Sequence, residues 1–151
     1  YATTQRIQGL LGTGQVREAR DLFTAAETSL RDAPQAVREQ FRGNVWNHFV
    51  ENGERFLNKP SATATDLETA EASFRFVLDS EGTRGTIQRA KSLYGSAQVL
   101  ERQGNSADAL IRYRQIGLLY PATREGRAAF GGDAFDQLRA NAASAVRRLS
   151  D

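Results

Sequence analysis

His48 is the only histidine of the 151-residue chain, and the chain contains no cysteine. Disulfides, thiolate metal sites and cysteine nucleophiles are therefore excluded. No second histidine stands three or four residues away, so the sequence offers no partner for a metal site or for a histidine-activated hydroxyl. Glu39, Glu51 and Glu54 are the carboxylates nearest His48 along the chain. Arg55 follows Glu51 by four residues, the spacing of an ion pair on a solvated helix face rather than of a catalytic acid–base pair. Gly9, Gly12 and Gly14 imitate a phosphate loop, but no strand precedes them and no Lys-Ser/Thr follows. A turn between two helices needs such glycines in any case. What is unusual is the stripe formed by Asn44, Asn47, His48 and Asn52, with Glu51 at its edge. Asparagine is a mediocre helix former, and a purely solvated face more often uses Glu, Lys or Arg. Its amide both donates and accepts, which suits an extended peptide backbone. The other reading of the stripe, surface filler or buried hydrogen-bonding between helices, has equal weight at this point.

Positioning such a stripe requires helices, and the periodicity supplies them. Residues 3–11 place Ile7, Leu10 and Leu11 on one face, and Val16, Ala19, Phe23 and Ala26 form the stripe of a second helix. Asp32-Ala33-Pro34 reads as the start of a long third helix reaching about Leu57. Its apolar ladder is Val37, Phe41, Val45 and Phe49, widened by Trp46 and Val50, and Gly53 weakens it by about 1 kcal/mol relative to alanine. Residues 58–64 form a loop, and Thr65 to Glu68 reads as a capping box opening a helix with Leu67, Ala70, Phe74 and Val77 buried. Two further helices lie between Ala90 and Pro121 with Gly104 between them. Past Pro121 a short helical stretch is interrupted at Gly131-Gly132. Asp133 then opens a last helix with Phe135, Leu138, Ala142, Val146 and Leu149 on its stripe.

Composition sets the outer limits. Hydrophobic residues make up 40% and charged residues 25% of the chain, an ordinary globular balance. The net charge of +2 is spread over interleaved signs with no basic block, so nucleic acid is not an expected partner. No apolar run approaches the roughly 18 residues of a membrane span. The chain begins at Tyr1 and has no methionine, and so reads as a processed or excised segment whose targeting is not legible.

The strongest pattern is repetition. Leu93, Ser96, Ala97 and Leu100 occupy the slots of W-x2-L-G-x2-Y, Ala109 and Tyr113 those of A-x3-F, and Pro121 that of the closing proline. The stretch resembles a tetratricopeptide repeat, with Leu93 in place of the aromatic and Ser96-Ala97 in place of Leu-Gly. Ala19 with Phe23 and Ala70 with Phe74 repeat the A-x3-F spacing. Gly14 stands five residues before Ala19, as Gly104 does before Ala109. The copies are unevenly spaced, about 51 and then about 39 residues apart against about 34 in a strict repeat, so the second and third carry insertions.

The resemblance implies an all-α, antiparallel helix-pair solenoid with a right-handed superhelix, spanning residues 1–151 as one domain. Three repeats cover about 1–33, 34–82 and 86–121, and a capping helix covers about 133–149. It implies a non-catalytic scaffold without cofactor or metal, holding a protein or peptide partner in a concave groove. The residues expected there are Gln8, Asn44, His48, Asn52, Tyr94, Gln98 and Glu101. The family's clamp for a C-terminal carboxylate is not reproduced: Lys91 fills one slot, but Gly95, Thr4 and Gln8 stand where basic and amide groups belong. The Leu-Tyr-Pro ending is similar to that of bacterial envelope repeat proteins of the Tol-Pal-associated and outer-membrane-assembly kinds. That likeness favours periplasm or envelope over cytoplasm. A structural spacer or self-association module of a larger protein is the alternative, and it leaves homo-oligomerisation open.

Overall fold

A computed structural model of the chain describes residues 2–119 and 133–150. Its described residues form seven α-helices and no strand: α1 (Ala2–Gly12), α2 (Val16–Ser29), α3 (Gln35–Leu57), α4 (Ala64–Asp79), α5 (Ile87–Arg102), α6 (Ser106–Leu119) and α7 (Asp133–Ser150). A single 3-10 turn, Glu81–Thr83, lies between α4 and α5. The sequence readings for Pro121, for the stretch after it and for Gly131-Gly132 lie outside the described residues.

Local signals account for most boundaries. The α1–α2 and α5–α6 connections are the same turn. Gly14 and Gly104 adopt φ of 79° and 81°, which a side chain disfavours. The next amide in each case reaches back five residues, Gln15 to the Leu10 carbonyl at 2.9 Å and Asn105 to the Leu100 carbonyl at 2.8 Å. Asn105 then caps α6, accepting from the Asp108 amide at 3.2 Å. The start of α4 differs from the sequence reading. Thr63, not Thr65, is the cap: its hydroxyl accepts from the Asp66 amide while the Asp66 carboxylate accepts from the Thr63 amide. Asp66 also pairs with Lys59 at 3.1 Å, an added reason for the earlier register. Helix α3 begins just after Pro34, which sits outside the first turn in extended conformation.

Consecutive helices pack on one another except α2 and α3, which meet only through a few side chains, and alternate ones do so as well, α1 on α3, α3 on α5 and α5 on α7. No other pairing among the described helices is more than marginal, apart from α2 with α4. Ala19, Ala70 and Ala109 are fully buried. A larger side chain there would force the helices apart. One apolar cluster joins α1 to α4, and a second joins the end of α4 to α5, α6 and α7. Within the first, Phe23 of α2 stacks on Phe41 of α3 at 5.6 Å and meets Phe76 of α4 edge-on, and Phe76 stacks on Phe49 at 4.0 Å. The outer end of the α3 ladder departs from expectation. Val45 and Phe49 are fully buried and Phe41 partly so, but Val37 is 47% exposed.

Phe74 of α4, fully buried, belongs to a third cluster with Phe56, Leu57, Leu67, Ala70 and Val99. Its ring lies against glycine on both sides: a Cβ on Gly53 of α3 would come within 2.6 Å of it, and one on Gly95 of α5 within 2.3 Å. Gly95→Ala should therefore destabilise the fold by about 1–3 kcal/mol through overpacking. Gly43→Ala, whose Cβ would meet nothing within 4 Å, should stabilise α3 by about 0.5–1 kcal/mol. Urea denaturation of both variants checks this, and midpoints moving the same way would mean that the close approach is not a constraint.

Candidate functional site

A groove runs along the seam between α1 and α3. Its wider part encloses about 450 Å³, with Thr4, Gln5 and Gln8 on the α1 side. Gln40, Asn44 and His48 form the α3 side, with the apolar Val37 and Phe41 towards the start of that helix. A smaller recess of about 160 Å³ continues past Gln8 and His48, which belong to both, towards Glu51, Asn52 and Arg55. The groove exists because of helix length. At 1.5 Å per residue α1 is about 16 Å long and α3 about 35 Å, so α1 can cover only part of its neighbour. The apolar faces of both helices turn inward through Ile7, Leu11, Val45 and Phe49, and the side chains one position round are left to line the seam.

Of the expected residues, Gln8, Asn44 and His48 meet in this groove. His48 is half-buried. Asn52 reaches the smaller recess but is only 6% exposed and is tied on both sides. Its Nδ2 donates to Ser73 Oγ of α4 at 3.2 Å, and its Oδ1 accepts from Arg55 Nη2 at 2.9 Å. The same Nη2 donates to the Gly12 carbonyl at the end of α1 at 3.0 Å. Asn52 thus links three helices, the buried reading of the asparagine stripe. Asn47 instead accepts from Gln88 of α5 at 2.9 Å.

Tyr94, Gln98 and Glu101 do not join the groove; no residue of α5 lines it. Tyr94 packs edge-on against Tyr113 of α6, ring centres 5.6 Å apart, and Gln98 is half-buried on the same helix. Glu101 accepts from the Tyr113 hydroxyl at 2.7 Å and from both terminal nitrogens of Arg148 in α7, at 2.7 and 2.8 Å. The two-pronged hydrogen bond from Arg148 holds the Glu101 carboxyl below its usual range, and the Tyr113 hydroxyl adds to it. Burial, then the Glu101 carboxylate, pushes the Tyr113 phenol well above its usual range. Burial foremost also raises Tyr94. These groups fasten α7 to α5 and α6.

Sequence reasoning assigned Val37 and Phe41 wholly to packing and passed over Gln5 and Gln40. The available signal was the disparity in helix length: a 23-residue helix beside an 11-residue one must leave a stretch of its apolar ladder uncovered. Among the described residues no three His, Asp or Glu side chains converge as a metal centre would need, and no helix is long and apolar enough to cross a membrane. No family model, curated protein or solved structure matches the chain.

The Glu101–Arg148 pair has a pH signature. A carboxyl held below its ordinary value of 4.5 contributes stability that is complete above that value and is lost as pH falls through the lower folded-state value. On acid titration, α7 should stay docked down to the ordinary glutamate range and loosen only below it. Glu101→Gln should loosen α7 already at neutral pH and remove the acid step. Backbone NMR signals of α7 report this; identical acid profiles in both proteins would sink it.

Proposed function

We propose that the chain is a non-catalytic scaffold that holds an extended peptide segment in the groove between α1 and α3. The observation that carries this reading is the lining itself. Four side-chain amides and a threonine hydroxyl line the groove together with the apolar Val37 and Phe41, with no Asp, Glu, Lys or Arg side chain in the wider part. A helix satisfies its own backbone and gains little from such a lining. An extended chain presents free N–H and C=O groups, which side-chain amides can both accept from and donate to.

In this reading the architecture is a tetratricopeptide-like solenoid with units at about 1–33, 34–82 and 86–121, closed by α7. Three things support it. Helix contacts are confined almost wholly to neighbours and alternates, the glycine turn recurs at Gly14 and Gly104, and the three spaced alanines are all fully buried. An envelope location rests on the Leu-Tyr-Pro similarity alone.

The test is a random heptapeptide phage library panned on the protein, with selected peptides mapped by chemical-shift changes. Perturbations should fall on α1 and the first half of α3. Replacing Gln8, Asn44 and His48 together by alanine should weaken binding tenfold or more, since each hydrogen bond contributes about 0.5–1.5 kcal/mol, while the melting temperature stays nearly constant. Asn52→Ala should do the opposite, lowering stability by about 1–3 kcal/mol because it strips the buried Ser73 hydroxyl of a partner and breaks the link to the exposed Arg55. Selected peptides that map to α6 or α7 instead would overturn the reading.

A self-association module is the second reading, and one observation favours it: Ile111 and Leu118, seven residues apart on α6, are 54% and 81% exposed. Light scattering separates the two, because a self-association module does not run as a monomer.

A further inference from the structure

We infer that the groove reads its ligand from end to end, selecting an extended segment with an apolar side chain at the Val37–Phe41 end and a lysine or arginine about five residues away at the Glu51 end. The inference rests on the groove reading above and adds a chemical identity to the occupant.

The apolar end follows from Val37, large, apolar and 47% exposed, beside the partly buried Phe41 ring. Covering that surface favours a leucine-like side chain. The middle, through Gln40, Asn44 and Gln8, carries no fixed charge, and a charged ligand group there would lose water without gaining a counter-charge.

The basic end follows from the distribution of charge around the smaller recess. Glu51 is exposed and forms no ion pair among the described residues. Arg55, the cation nearest in sequence, does not answer it. Its Nη2 is taken by Asn52 Oδ1 and by the Gly12 carbonyl, and its guanidinium lies 5.1 Å from the Phe56 ring centre. Gly12 closes α1, so the Arg55 charge is set against the negative end of that helix. Lys91 of α5 acts on Glu54, whose carboxyl is raised by burial and further by the charge of Glu51. With Arg55 directed to α1, the Glu51 carboxylate at the recess is left for a ligand cation.

The spacing is geometric. From midway between Val37 and Phe41 to Glu51 is about 18 Å along α3. An extended chain covers that in five to six residues at roughly 3.3 Å each.

Four blocked octapeptides of serine and threonine test it. Two carry leucine second and arginine seventh, or the reverse order. A third has glutamate in place of arginine, and a fourth has arginine next to leucine. Each is titrated into the whole chain and followed by the backbone amide signals of α1 and α3. One of the two spaced arginine peptides should bind at least tenfold more tightly than the glutamate and adjacent-arginine peptides. Glu51→Arg, a change at an exposed position, should invert the preference between arginine and glutamate. Equal affinities that Glu51→Arg does not alter, or a preference for glutamate in the unaltered protein, overturn the inference and leave the groove reading standing. No movement of those amides with any peptide at millimolar concentration overturns both.

Discussion

Phe74 has no room to be anything larger, and its neighbours have no room to be anything but glycine. Its ring occupies the space that Cβ atoms on Gly53 and Gly95 would need, so α4 enters a slot whose two walls are the bare backbones of α3 and α5. Residues just ahead of Phe74 in the helix reinforce this. Ser73 accepts from Asn52 of α3, and Glu71 accepts from Ser96 Oγ of α5 at 3.0 Å. Ala70, one turn earlier, is fully buried and lets the backbones close. The separation of α3 from α5 beside Phe74 is set by the thickness of one aromatic ring.

The groove follows from that arrangement and from unequal helix lengths. Helix α3 is anchored by its second half, where Val45, Phe49, Asn52 and Gly53 meet α1, α4 and α5. Its first half is held on one side through Phe41 on Phe23 and through Arg42 with Glu27 of α2. The other side of that half has only the short α1 beside it. The uncovered part is thus a helical surface already formed before anything binds, and a preformed surface loses little conformational entropy on binding.

Much of the architecture was legible because it depends on local rules. The alanine–aromatic spacing identified three fully buried small residues, and the glycine five residues ahead of Ala19 and Ala109 marked two equivalent turns. What escaped reading depends on which helices face each other. Gly53 looked like a weakness in α3 because its purpose lies on α4, 21 residues further along. Glu101 and Tyr94 sit at positions suited to a groove, yet Arg148 and Tyr113 claim them, and no spacing rule connects residue 101 with 148. Asn44 and Asn52 look alike in the stripe. One lines open space and the other is buried, because α4 passes beneath only the C-terminal half of α3.

The confinement of contacts to adjacent and alternate helices also bears on how the chain reaches this structure. Few residues must be brought together across long stretches of chain, so the entropy of loop closure at each step is small. A nascent chain emerging from a ribosome could dock each helix as it appears, with no wait for the C-terminal part. The Phe74 slot is completed late in this order: its second wall, Gly95, is made after the ring that fills it. Until α5 arrives, a ring that is fully buried in the finished structure is exposed on one side, and there the half-made chain is open to a wrong partner.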